Sequence, residues 1–219
     1  MIDTVNVILL AAGLSRRMGN VNKLLLDIDG QPMVRRIAAL YRSLFSSVTV
    51  VTGFEQNKIQ AALTGLDVAL LFNPNFETGR QSSVRAGLEV QNLDGEGVMI
   101  ALADQPQLTR SDILDFTKAF LASETPKVFV PVFEAQRGNP IIFPSHFIRE
   151  MRSGDGPLDG RKFIQDNPER VHKFPVSRSA FIADLDTPLD VAQWRKTDLP
   201  QSETTGQGAG VTGVETGHA

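Results

Sequence analysis

Two kinds of apolar pattern alternate along this chain. Short, nearly unbroken runs lie at Val5 to Leu10, Val48 to Val51, Val68 to Phe72, Val98 to Ala103 and Lys127 to Val132. Such runs predict strands, and those at Val5 to Leu10 and Val98 to Ala103 are expected to be buried. Between them the apolar residues recur at helical spacing: Val34, Ile37, Leu40, Tyr41 and Leu44, then Gln56 to Leu63, Gln81 to Val90, and Ser111 to Ala122 with Ser111 as the expected N-cap. The alternation βαβαβ implies a mostly parallel sheet with right-handed crossovers, that is, a three-layer α/β unit.

From Gly138 onward the pattern is broken by Pro140, Pro144, Gly154, Gly156, Pro157 and Gly160. Here the expected pieces are short: a strand at Ile141 to Phe143, a helix at Arg161 to Asp166, a last strand at Ile182 to Leu185 and a closing helix at Leu189 to Trp194. Irregular segments of this kind sit over the carboxyl ends of strands, where open α/β sheets bind ligands. Residues 1–198 are expected to form a single domain. From 199 to 219 the sequence is Gln-, Ser-, Thr- and Gly-rich without aromatics, and such a tail cannot bury enough apolar area to offset its ordering entropy.

Composition narrows the function classes. With 219 residues and 42% hydrophobic content the chain can bury one substantial core. A net charge of −3 gives no support for a nucleic-acid or membrane-surface partner, so local basic clusters must carry any phosphate binding. The absence of cysteine excludes disulfides, thiolate metal sites and a Cys nucleophile, and fits the cytoplasm. The N-terminal run follows an acid and has no basic flank, so it reads as a first strand and not a signal peptide. The histidines His146, His172 and His218 lack metal-ligand or triad spacing.

The richest chemistry follows the first strand, in VNVILLAAGLSRRMGNVNK, Val5 to Lys23. Ala11, Ala12 and Gly13 let backbone approach a ligand closely, and Ser15, Arg16, Arg17 and Lys23 put a hydroxyl and cations beside it, which suits a polyphosphate. Neither a Walker P-loop nor a dinucleotide fingerprint fits: Gly13 and Gly19 are six apart, Asn20 follows, and Ser15 stands where the fingerprint needs glycine. The stretch instead resembles the LAAGxSxRMGxxK signature of the MobA-like/MocA-like NTP transferases, the molybdenum cofactor guanylyl- and cytidylyltransferases. Leu10, Ala11, Ala12, Gly13, Ser15, Arg17, Met18 and Gly19 match it position by position, and Lys23 follows one residue later than the signature places its lysine.

The resemblance implies a Rossmann-like three-layer α/β/α nucleotidyltransferase fold and a Mg²⁺-dependent transfer of a nucleotidyl group with loss of pyrophosphate. It makes Asp104, in the Ala103-Asp104-Gln105-Pro106 turn, a metal ligand, although an aspartate there could also serve only as a turn former. Asp184-Leu185-Asp186-Thr187-Pro188 is similar to the late turn that completes such a site, with Asp186 preferred and Asp184 in reserve; Asp186 or Thr187 could equally N-cap the helix opened by Pro188. Asn73-Pro74 with Gly79 and Ser83 is similar to the family's base and ribose loop. Arg137-Gly138-Asn139-Pro140 resembles the segment lining the acceptor side.

Many family members carry GDxGxR where this chain has Gly154-Asp155-Gly156-Pro157-Leu158-Asp159-Gly160-Arg161, a departure that bears on acceptor identity. LAAG in place of LAGG resembles the cytidylyl branch, so CTP is expected before GTP, with molybdopterin or the molybdenum cofactor as acceptor and a molybdenum hydroxylase apo-enzyme as partner. A sugar or polyol phosphate acceptor, and a non-catalytic cofactor carrier, are the alternatives.

Overall fold

The computed structural model describes residues 1–19, 21–154 and 158–197; the expected tail lies outside them, as do residues 155–157 of the departing segment. In chain order the strands and helices are β1 (Val5–Ala11), the short pair β2 (Asp27–Ile28) and β3 (Gln31–Pro32), α1 (Met33–Leu44), β4 (Val48–Thr52), α2 (Gln56–Ala62) and β5 (Ala69–Phe72). Then come α3 (Arg80–Val90), β6 (Gly97–Leu102), α4 (Arg110–Leu121), β7 (Val128–Phe133), β8 (Gln136–Arg137), β9 (Ile141–Pro144) and α5 (Ser145–Ser153). The last are α6 (Gly160–Asp166), β10 (Val171–Pro175) and α7 (Pro188–Thr197).

The main sheet runs β10-β7-β9-β6-β1-β4-β5, with β8 added to β7. β1 lies in the middle, parallel to β4 and β6 on its two sides, and β5 and β10 extend the parallel pairing. The expected mostly parallel sheet with flanking helices is therefore present, with one interruption: β9 runs antiparallel between β6 and β7.

Alternation along β1 divides the core. Val5, Val7, Leu9 and Ala11 face a cluster built with Ile37, Ala38 and Tyr41 of α1 and Phe116 of α4, while Ile8 and Leu10 face Val84 and Leu88 of α3 and Phe147 and Ile148 of α5. Every β1 residue except Asn6 is buried, which explains why its sequence is a continuous apolar run and not an alternating one. Among the described residues, no helix is long and apolar enough to cross a membrane.

Several expectations need correction. The cap of α4 is Thr109, not Ser111: the Thr109 hydroxyl accepts from the Asp112 amide, and the Asp112 carboxylate accepts from the Thr109 amide at 2.8 Å, a reciprocal capping box. Ile182 to Leu185 forms no strand. After a short 3-10 turn at Ser179–Phe181 the chain continues as a strap that buries Phe181 and Leu185, with the Ile182 amide bonded back to Ser179 and the Leu185 amide to the Asp104 carbonyl. Helix α5 and strand β10 were not expected. Pro144 reads as a breaker in the sequence but sits at the N-cap of α5, where its fixed φ suits a helix start. β10 is a largely exposed edge strand whose residues carry no buried alternation.

Candidate functional site

Register creates the site. Leu10 of β1 lies opposite Leu102 of β6, so the loops after these two strands leave the sheet side by side. The first loop turns at Ser15, which takes a left-handed conformation (φ 50°), and passes through a 3-10 turn at Arg16–Met18 to Gly19 at φ 67°. The Ser15 hydroxyl accepts the Lys23 amide at 3.2 Å, tying the two ends of the loop together. The Asn22 carboxamide caps the next short turn through the Leu24 amide. Lys23 is thus fixed at both sides, and its side chain crosses to the second loop.

There the Lys23 ammonium donates to Asp104 Oδ2 at 2.5 Å and to Asp186 Oδ1 at 2.6 Å. Asp186 also pairs with Arg17 at 2.8 Å, although the Arg17 side chain is 68% exposed and that contact is weak in water. Burial works against the Lys23 ammonium, but the Asp104 and Asp186 carboxylates outweigh it and hold its pKa above the usual lysine value. Among the described residues Asp104 Oδ1 is buried without a hydrogen-bond partner.

Asp186 reaches this place because the strap is tied down. Phe181 C=O accepts from the Asn139 amide at 2.8 Å and from the Gln105 carboxamide at 3.0 Å, and the Leu185 amide donates to Asp104 C=O at 2.9 Å. Gly138 packs against the same carbonyl: a Cβ there would stand 2.4 Å from Phe181 O. Gly138→Ala must therefore push the strap away, at a cost of about 1–3 kcal/mol. A drop in Tm together with loss of the Lys23–Asp186 contact, read by NMR of the lysine ammonium, is the expected result.

Asp184 faces the same region, half-buried. Burial, then the Asp104 and Asp186 charges, raise its pKa to about 6, with Arg80 and Lys23 opposing. An acid whose folded pKa exceeds its unfolded value loses stabilising proton uptake as pH rises, here between about 4 and 6. Asp184→Asn should therefore melt above the wild type at pH 8 and lose that advantage near pH 4.5. Melting curves of the two proteins across that range decide it.

A cleft of about 350 Å³ opens over the first loop and is lined by Gly13, Ser15, Arg16, Arg17, Lys23 and Asp104, among others. Gly79 and Ser83, at the start of α3, line it too, as do Leu10, Ala12 and Asp186, whereas Ala11 points into the core. Gly13 has nothing of the protein within 4 Å of where a Cβ would sit, so its open side faces the cleft. Asn73 is buried and works as a bracket, donating to the Ser82 and Ser83 hydroxyls and accepting the Asn75 amide. A second cavity of about 490 Å³ adjoins the first and is lined by Arg137, Gly138 and Asn139 together with Arg161; Pro140 is buried beside it. Arg80 lines both cavities and was missed in the sequence, where the only signal is a cation at the first position of a helix after Gly79.

Sheet order and site position together define the fold of the nucleotidyl transferases. A nucleotidyl transferase from Methanothermobacter thermautotroptrophicus superposes with a TM-score of 0.72 at 19% identity, over 89% of this chain and 97% of its own. The model of the MobA-like NTP transferase domain matches residues 7–172, and the chain belongs to that family. A protein of Natronomonas pharaonis named as a probable molybdenum cofactor guanylyltransferase is 28% identical over 102 residues, which is 46% of this chain and 50% of that protein. One of Pelotomaculum thermopropionicum with the same name is 38% identical over 56 residues, 26% of this chain and 27% of that protein. The chain thus spans half, or less, of the length of these curated relatives.

Proposed function

We propose that this protein transfers a nucleotidyl group, CMP from CTP in first place, to the phosphate of molybdopterin or a related cofactor and releases pyrophosphate. The observation that carries the reading is the Lys23 ammonium shared by Asp104 and Asp186 at the head of the glycine-containing loop. Backbone amides around Ala12 to Ser15 would hold phosphates, and Arg17 and Lys23 would offset charge on the triphosphate and the leaving group. Such a transfer needs positioning and charge neutralisation more than a protein nucleophile.

The donor set suits Mg²⁺. Asp104 Oδ1 is buried without a protein partner, and a second carboxylate meets the same ammonium. Among the described residues no group of three or more His, Cys, Asp or Glu is arranged to hold a metal, so Asp104 and Asp186 would leave the other ligand positions to phosphate oxygens and water. Bound there, the ion would lend charge neutralisation at the phosphates.

Ala12 in LAAG favours CTP, while the names of the two curated relatives favour GTP as the second reading. One methyl group supplies only about 1–3 kcal/mol of discrimination, so the base is decided by assay. The paired Lys23, Asp104 and Arg17 disfavour a non-catalytic carrier, which has no use for a triphosphate site. Pyrophosphate release is measured with Mg²⁺, molybdopterin and each NTP in turn. Release with CTP supports the reading, and release with GTP changes the base. Silence with every NTP while molybdopterin still binds favours the carrier; silence without binding points to sugar or polyol phosphates.

A further inference from the structure

The two cavities share Leu10, Gly79, Arg80 and Leu102, and of these only Arg80 carries a charge. Arg80 is the first residue of α3, held at its place by Gly79 at φ 114°, ψ 174°. Its side chain is exposed, and no hydrogen bond or salt bridge to it is found among the described residues, although its charge reaches the Asp184 carboxyl; Lys23 and Arg17, by contrast, are in direct contact with carboxylates. A planar guanidinium with several free donors, beside a helix N-terminus and between two spaces, is matched to a phosphate oxygen pair.

The second cavity shows what would bring that phosphate. Its floor is apolar, with Val84, Ile100, Ile141, Phe143 and Ile164, and among the described residues its polar rim holds Arg137 and Arg161 and no carboxylate. That lining fits a molecule with an apolar or planar body and negative charge at its end. We propose that Arg80 is the positioning residue for the acceptor, its guanidinium holding the terminal phosphate that enters from the second cavity against the nucleotide in the first. This inference rests on the nucleotidyl-transfer reading above.

The step balances simply. A lone pair on the acceptor phosphate oxygen forms the new bond to the α-phosphorus, the bond from that phosphorus to the bridging oxygen breaks, and its electron pair leaves on pyrophosphate. Arg80 gives up no proton in this sequence; its contribution is orientation.

The test uses the full chain with Arg80→Ala and Arg80→Lys. In steady-state assays with molybdopterin and CTP, Arg80→Ala is expected to raise the acceptor KM at least tenfold, while the Kd of a fluorescent CTP analogue changes less than twofold. Arg80→Lys should recover part of the loss, because it keeps the charge and gives up the fork. Equal losses for nucleotide and acceptor, or an unchanged acceptor KM, would overturn the assignment.

Binding alone separates this inference from the reading on which it rests. If the wild type releases no pyrophosphate with any NTP, equilibrium binding of molybdopterin and of its dephosphorylated form still reports on Arg80. The wild type should prefer the phosphorylated form at least tenfold and Arg80→Ala should not. Equal preference in both proteins overturns the inference whatever the reaction proves to be.

Discussion

Asp104→Asn is expected to lower the rate of pyrophosphate release by about 10³-fold or more, since on the proposed reading it would take away a charged ligand and the ion it would hold, worth several kcal/mol of transition-state stabilisation. The same change should cost stability. Asp104 and Lys23 are both nearly buried and in contact at 2.5 Å, and breaking such a pair leaves an ammonium short of a partner. Asp186 remains, so the loss should be about 1–3 kcal/mol, below the usual range for an isolated buried pair. Because the Lys23 pKa is raised in the folded state, the stability it contributes is present below its unfolded pKa and is lost only as pH climbs through the folded value. The gap between wild type and Asp104→Asn should therefore be constant from about pH 7.5 to 9, above the range in which Asp184, whose pKa the Asp104 charge helps to raise, titrates. Chemical denaturation at several pH values, beside the activity assay, would show whether the two losses occur together; an active variant removes Asp104 from the proposed chemistry.

The parts of this arrangement that were legible in the sequence are local. The strand Val5–Ala11 announces itself because both its faces are buried, and the loop after it carries a long signature within a few turns of chain. Asp104 could be named because it ends a second apolar run, and the parallel register of Leu10 with Leu102 is what makes these two ends neighbours. What the sequence hid depends on distant contacts. The strap from Phe181 to Asp186 looks like a strand by composition, yet its Leu185 amide bonds to Asp104 and its Phe181 carbonyl accepts from Asn139 and Gln105, partners that no periodicity indicates. Strand β9 was foreseen as a strand but not its antiparallel place between β6 and β7, since direction is set by the connections around it. The helix α4 begins earlier than its apolar periodicity shows, because Thr109 and Asp112 cap it through backbone amides and not through apolar contacts. Arg80 stayed invisible because its meaning comes from standing between two cavities, which only the fold creates.

Removing the ammonium itself gives the second large effect. In the structure the Lys23 ammonium bridges one oxygen of each carboxylate where a cation would be held, so the free protein carries its own counter-ion there. Divalent metal arriving without nucleotide must displace that ammonium, whereas metal arriving with a triphosphate gives it phosphate oxygens to move to. Wild-type protein should accordingly bind Mn²⁺ weakly alone and much more tightly with nucleotide. Lys23→Met leaves Asp104 and Asp186 facing each other with no cation between them, the exposed Arg17 guanidinium touching Asp186 from one side. At the effective dielectric of a partly buried site, a charge at this range is worth a few kcal/mol, so Mn²⁺ binding in the absence of nucleotide should tighten about tenfold or more. Its melting temperature should fall in metal-free buffer and recover when Mn²⁺ is added, by the ordinary linkage of binding to folding. Catalysis moves the other way, dropping about 10²–10³-fold, because the triphosphate loses the cation that would follow its developing charge. Electron paramagnetic resonance titration of Mn²⁺ against both proteins, with and without CTP, decides between the outcomes. Affinity for Mn²⁺ that is unchanged or weaker in Lys23→Met would mean that the two carboxylates do not form a cation site, and the lysine between them would then be a structural cross-link from the loop to the strap.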